Sequence, residues 1–254
     1  MQTFLRKIRA IARQWSPDIG PDLRAYAIGD IHGRDDLFAD LLRIIADDDQ
    51  GRPRKPLHLI LLGDLVDRGP QSAQVVERAM ALAASGGHVH LIKGNHEEVF
   101  VAAARGDAQA ARFFCRIGGG ETLASYGLES AECIAMGDAE RADWMLRNIP
   151  RSHVDFLDDF QDSLILGDYL FVHAGIRPGV AIEAQSPADL RWIRAEFLDH
   201  AGDHGVMVVH GHSITDAPDL RANRIGIDTG ASYSGRLTAI GLEGAAKWIL
   251  QTSA

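Results

Sequence analysis

The chain is poor in the features that mark secreted, membrane-spanning or nucleic-acid-binding proteins. It has two cysteines in 254 residues, Cys115 and Cys133, too few to staple a fold of this length. That usage suits a reducing cytosol rather than a disulfide-built secreted domain. Aromatic residues make up only 7%, and no apolar run approaches the roughly 18 residues a membrane-crossing helix needs. Positive charge is scarce as well: 26 Lys and Arg face 35 Asp and Glu, a formal net charge of −9. An acidic surface repels nucleic-acid phosphates at long range, which disfavours polynucleotide partners. What remains is an apolar share of 46%, sufficient for a core, and a length that suits a single α/β domain spanning residues 1–254.

The first residues depart from the acidic balance. Met1–Trp15 carries Arg6, Lys7, Arg9 and Arg13 with no acid, and Phe4, Leu5, Ile8 and Ile11 fall at helical spacing. The segment reads as a short amphipathic helix packed on the domain. It lacks the continuous apolar stretch of a secretory signal.

Short apolar runs at Ala25–Ile28, Leu57–Leu62, Val89–Ile92, Tyr169–Val172 and Val206–Val209 read as strands buried on both faces, and Ile225–Ile227 and Leu237–Leu242 as later strands. Helices over Leu37–Ala46 and Ser72–Ala84 connect the first three, which predicts parallel pairing with right-handed crossovers. Between Glu98 and Phe160 the strand pattern gives way to helical stretches at Val99–Arg105, Ala108–Ile117 and Ala139–Asn148. Residues 98–160 therefore read as a helical insertion beside the site, within an α/β fold.

Polar and glycine residues follow five of the apolar runs: GDIHG at Gly29–Gly33, GDLVDRG at Gly63–Gly69, GNHE at Gly94–Glu97, HAG at His173–Gly175, and GH at Gly211–His212. Open α/β sheets bind ligands at the carboxyl ends of their strands. Together the five supply Asp30, His32, Asp64, Asn95, His173 and His212, a donor set for two metal ions. Singly they have plainer readings: Asp30 could cap the helix beginning near Arg34, and His173 could be a core histidine. GDLVDRG has few such excuses, and the joint order of all five argues for chemistry. No cysteine lies in any cluster, which argues against thiolate zinc or iron–sulfur sites. His210 is the alternative to His212. His88 and His90 share one strand face, but no third ligand is suggested for them. His153, His200 and His204 read as solvated, and Asp47–Asp49 as the water-exposed end of the first helix.

In this order the motifs resemble the calcineurin-type metallophosphoesterases, and GDLVDRG with GNHE is similar to the phosphoprotein phosphatase branch, including serine/threonine phosphatases and bacterial diadenosine tetraphosphate hydrolases. The resemblance covers about Arg24 to Ile240 and implies a β-sandwich flanked by helices. It implies Asp30 and His32 as ligands of a first metal, Asp64 as the carboxylate bridging both metals, and Asn95, His173 and His212 as ligands of the second. His96 matches the general acid and Asp67 the carboxylate orienting it. Arg68 and Arg194 match the arginines that grip phosphate, with Arg191 the fallback for Arg194; Asn95 counts also among the substrate-binding residues. Two cations roughly 3.5 to 4 Å apart clamp a phosphate and acidify a water for in-line attack. A histidine held by a carboxylate protonates the leaving oxygen, and arginine's fork matches phosphate oxygens.

Three features set the chain apart from the eukaryotic members: Lys93 before GNHE, HAG with one glycine after its alanine, and the loop DTGASYSG from Asp228. All three resemble the bacterial and phage branch. The resemblance thus implies a manganese-type dinuclear phosphoesterase, with iron, zinc or cobalt as other options. The preferred substrate is serine or threonine phosphate on a protein, and the alternative is diadenosine tetraphosphate, with further contacts from the helical segment or Tyr233. An inactive phosphate-binding scaffold is the remote third reading, since no ligand or acid is missing.

Overall fold

The computed structural model describes residues 16–253. The amphipathic helix expected over Met1–Trp15 lies outside the described residues. The chain opens with β1 (Arg24–Ile28), α1 (Asp35–Gln50), β2 (Leu57–Leu61), α2 (Ser72–Ala84) and β3 (His88–Leu91). Six helices follow: α3 (Asn95–Ala104), α4 (Ala108–Arg116), α5 (Gly119–Ser125), α6 (Ser130–Ala135), α7 (Asp138–Asn148) and α8 (Arg151–Asp158). Then come β4 (Ser163–Leu166), β5 (Tyr169–Val172), α9 (Pro187–Trp192), α10 (Ala195–Leu198), β6 (Met207–His210), β7 (Asp219–Leu220), β8 (Arg224–Gly226), α11 (Ala231–Ser234), β9 (Thr238–Glu243) and β10 (Ala246–Gln251).

The strands form two five-stranded sheets, ordered β10-β9-β1-β2-β3 and β4-β5-β6-β8-β7. As the sequence implies, β1, β2 and β3 pair in parallel, with Tyr26 beside Leu59 and Leu59 beside Val89. The antiparallel hairpin β9–β10 closes the other edge, so the sheet is mixed rather than wholly parallel.

Side-chain alternation explains the stacking, since successive residues of a strand face opposite sides. Ala25, Ala27, Ile60, Tyr169, Phe171, Met207, Val209, Ile240 and Leu242 fill one cluster between the sheets. Tyr26, Ile28, Leu59 and Leu61 face the helical layer of α1 to α8. Leu170, Val172 and Val208 face Leu190 and Phe197 from α9 and α10. The result is a four-layer sandwich, as the fold class predicts. The unforeseen strands β4, β7 and β10 are short or polar-bearing edge segments, whose half-exposed pattern carries little sequence signal.

The acidic end of α1 corrects its expectation of ending in water. Asp48 accepts from Tyr26 Oη at 2.6 Å, Trp248 Nε1 at 3.0 Å and Arg52 Nε at 3.0 Å. Arg24, wholly buried, pairs with Asp49 and, at 2.8 Å, with Glu243. Arg24→Ala strands both partners, which retain some solvent contact. We expect it to lower the unfolding free energy by about 2 to 3 kcal/mol in urea denaturation, at or just below the lower limit for fully buried pairs because both carboxylates keep some solvent.

Three histidines also differ from expectation. His153 is buried and bonds Tyr126 Oη at 2.8 Å. His204 packs its ring 5.5 Å from Phe197, and His200 lies against His204. His88 and His90 do meet a third histidine, His58 on the neighbouring strand, whose ring lies within 9° and 11° of parallel to theirs. His58 Nδ1 and His90 Nε2 hydrogen-bond to each other at 3.0 Å while the His58 ring stacks on His88 with centroids 4.4 Å apart, so the three side chains partner one another. No helix among the described residues is long and apolar enough to cross a membrane.

Candidate metal centre

The carboxyl ends of β1, β2, β5 and β6 and the start of α3 meet at one edge of the sandwich, and there Asp30, His32, Asp64, Asn95, His173 and His212 are all buried. Close approach needs glycine at two of these ends. A Cβ on Gly94 would stand 2.2 Å from Asp64 Oδ1, and one on Gly211 2.1 Å from Asp30 Oδ1. Asp30 does not cap α1, whose N-terminal boundary is Arg34. It accepts instead from the backbone N–H of His212 at 3.1 Å.

Asp64 faces two groups at once. Its Oδ2 lies 3.6 Å from His32 Nε2 and 3.8 Å from His96 Nε2, while its Oδ1 lies 3.4 Å from His173 Nε2. His173 Nε2 in turn stands 3.0 Å from Asn95 Oδ1 and 3.2 Å from His212 Nδ1. Asp30 Oδ2 reaches to 3.9 Å from His32 Nε2.

Hydrogen bonds fix which ring nitrogens face inward. His32 donates from Nδ1 to Val66 O at 2.8 Å and His173 from Nδ1 to Leu62 O at 2.7 Å. Both Nε2 lone pairs therefore point into the centre, the arrangement in which backbone carbonyls hold metal-ligating histidines. His32 Nε2 is buried without a hydrogen-bond partner. Around His173 Nε2 the acceptors Asn95 Oδ1, His212 Nδ1 and Asp64 Oδ1 converge, a cluster of donor atoms that a bound cation would satisfy. Burial alone would make His173 less basic, but the Asp64 charge beside it lifts it to about 10. Burial pushes His32 down to about 3 and His212 down to about 2. These donors fit a pair of divalent ions, with Asp64 giving one oxygen to each side.

The neighbouring acid–base pair is equally defined. His96 Nδ1 donates to Asp67 Oδ2 at 2.6 Å, and Thr122 Oγ1 donates to Asp67 Oδ1 at 2.7 Å. Burial opposes charge on His96, but the Asp64 charge and the Asp67 hydrogen bond outweigh it, so its pKa is raised. Arg68 donates from a terminal nitrogen to His96 Nε2 at 3.1 Å.

The profile of the calcineurin-like phosphoesterase family matches residues 23–234. The chain belongs to this family. It is a phosphoester hydrolase of a metal-dependent group. It is 27% identical over 237 residues to the asymmetrical bis(5'-nucleosyl)-tetraphosphatase PrpE of Anoxybacillus flavithermus, covering 84% of this chain and 88% of that one. It is 32% identical over 178 residues to the symmetrical bis(5'-nucleosyl)-tetraphosphatase of Acidovorax sp. strain JS42; that match covers 70% of this chain and only 49% of the relative's length. A crystal structure of a candidate diadenosine tetraphosphatase superposes with a TM-score of 0.62 at 20% identity, over 92% of this chain and 99% of that one, which establishes shared architecture.

Other anticipated residues of this phosphoesterase sort by position. Arg194 is exposed and lies at the rim, its terminal nitrogen 3.4 Å from His212 O. Arg191 is tied to Asp162 and Glu98 and is not free to meet a phosphate. His210 points away from the centre, its ring edge-on to Phe197 at 5.1 Å, and burial lowers its pKa to about 4.

Three supporting residues went unassigned in the sequence. Glu97, fully buried, accepts from the backbone N–H groups of Asp64, Leu65 and Gly94 at 2.8 to 2.9 Å and so fixes the turn that presents Asp64. Its place inside GNHE was the only signal. Thr122 steadies Asp67 from the helical segment, 55 residues away, with no motif to mark it. Asp228 opens the DTG loop just past β8, at the same sheet edge, and is buried.

The backbone is strained at the same place. Among the described residues, the non-glycine positions with positive φ are His32, Asp64, Asp67, Arg68 and His212, between 47° and 74°. Such conformations cost on the order of 1 to 3 kcal/mol each and persist where surrounding structure overrides the preference.

Proposed function

We propose that the chain hydrolyses dinucleoside tetraphosphates at a dinuclear metal centre. Asp30, His32 and Asp64 hold one ion, and Asp64, Asn95, His173 and His212 hold the other. The observation that carries the dinuclear reading is the Asp64 carboxylate, with one oxygen toward each histidine group. Divalent ions bound there supply the Lewis acidity that polarises a phosphoryl group and acidifies water. Manganese suits these oxygen and nitrogen donors, as do iron, zinc and cobalt. His96, held by Asp67, delivers a proton to the departing oxygen, and Arg68 and Arg194 bind phosphate oxygens.

The substrate reading rests on the near-full-length match to a tetraphosphatase, which favours that alternative over the protein-phosphatase preference drawn from motifs alone. Tyr233, largely exposed on α11 in the loop that opens with Asp228, offers an aromatic face to a base. The test is kcat/KM of manganese-reconstituted protein on diadenosine tetraphosphate against a phosphothreonine peptide, with Asp64→Asn as the contamination control. We expect the dinucleotide to win by at least about tenfold, or about 1.4 kcal/mol. A preference for the peptide returns the assignment to protein phosphatase.

A further inference from the structure

Asp228 stands two residues beyond the end of β8, and its main chain is locked to the strand ends that carry the metal-site residues. Its carbonyl receives Thr215 N–H at 3.0 Å, in the loop that begins with His212, and Ile227 N–H donates to His210 O at 2.9 Å. The backbone of Gly29, just before Asp30, packs so closely that a Cβ there would meet Ile227 O at 2.5 Å. Asp228 Oδ1 accepts from Gly230 N–H at 2.9 Å. The second oxygen, Oδ2, is buried with no hydrogen-bond partner.

A buried carboxylate oxygen left unpaired costs free energy, more so beside other carboxylates. Burial first, and the Asp228 charge next, push Asp30 well above the usual carboxylate range. Burial likewise raises Asp228, and the Asp64 charge adds to it. Among the described residues, none of Asp30, Asp64 and Asp228 forms an ion pair with a lysine or arginine. Asp228 Oδ2 is thus a buried acceptor at the metal-site edge that no donor among the described residues satisfies.

Building on the dinuclear reading above, we propose that Asp228 is a further carboxylate of the metal centre, its free oxygen a donor to the ion on the Asp30 and His32 side. Because carboxylate oxygen favours hard cations, the added donor biases that side toward Mn²⁺ over Zn²⁺. The residue lies outside the histidine-bearing motifs, in a loop whose sequence DTG shows no metal signature.

The test is Asp228→Asn, which keeps an oxygen to accept from Gly230 while removing the charge. Metal-free wild type and variant are titrated with Mn²⁺ and with Zn²⁺ by calorimetry, and their thermal unfolding is followed without metal. Mn²⁺ affinity at one site is expected to fall roughly 10- to 100-fold and Zn²⁺ affinity by less. The metal-free variant should be at least as stable as wild type, because a repulsive charge is gone, while its stabilisation by Mn²⁺ shrinks. A merely structural Asp228 would lower metal-free stability and leave Mn²⁺ affinity alone. Wild-type Mn²⁺ affinity in the variant overturns the inference. If Asp228→Asn does not fold, Asp228→Ser, which also keeps an acceptor for Gly230, enters the same titration under the same criterion. Asp64→Asn separates the two claims: if it too binds Mn²⁺ as wild type does, the dinuclear reading fails, whereas loss there with no change at Asp228 removes only the role of Asp228.

Discussion

Asp64→Asn is expected to lower kcat/KM by about 1,000-fold or more, equivalent to about 4 kcal/mol of barrier, and to lose bound metal in the same step. The reason is positional. Among the described residues, Asp64 is the one carboxylate within 3.6 Å of histidine nitrogens on both sides of the centre, at Oδ2 for His32 and Oδ1 for His173. An amide of the same shape keeps one oxygen and brings a donor N–H₂ to the other side, where a cation belongs. The fold should survive, because Glu97 holds the turn through the backbone N–H of Asp64 and the amide oxygen still accepts the His96 N–H that Asp64 Oδ1 takes at 3.1 Å. Metal content by elemental analysis and turnover on the same sample check the prediction together. Loss of turnover with both ions retained would move Asp64 out of the bridging role.

His96→Asn should separate metal from turnover. His96 lies next to Asn95 on the first turn of α3, and its Nδ1 is engaged by Asp67 rather than by the histidine groups. The variant is expected to keep its metal and lose on the order of 100- to 10,000-fold in rate where the leaving oxygen needs a proton. That condition depends on the substrate. An alcohol departs as a strong base, whereas a phosphate leaves as a weak one, its second pKa near about 6. The loss should therefore be larger on an alkyl phosphate than on nitrophenyl phosphate or a dinucleoside tetraphosphate. Equal losses on all three would remove His96 as the proton donor.

The sequence displayed these residues because they obey two separable rules. Metal-grade side chains follow buried strands, and glycines beside them permit close approach, as at Gly94 and Gly211. Both are local properties that one chain can show. What was hidden depends on the completed fold. The left-handed backbone at His32, Asp64, Asp67, Arg68 and His212 is imposed by tertiary packing on residues whose own preferences oppose it. Thr122 reaches Asp67 only because α5 packs beside the GDLVDRG turn, where Gly118 O accepts the Arg68 N–H at 2.9 Å. His58 joined His88 and His90 through strand register, which pairs His58 with His88 across β2 and β3. The acidic end of α1 looked solvated until Tyr26, Arg24 and Trp248 arrived from other strands. Substrate choice was the least legible feature, because the candidate phosphate grip, Arg68 and Arg194, is common to monoester and dinucleotide chemistry.

The most direct test of the shared-carboxylate centre is a crystal structure of the manganese-loaded protein, with anomalous scattering to locate the ions. Two peaks are expected, one on the Asp64 Oδ2 side with His32 and Asp30, the other on the Oδ1 side with His173, Asn95 and His212. A single ion, or two ions of which only one touches Asp64, would contradict it.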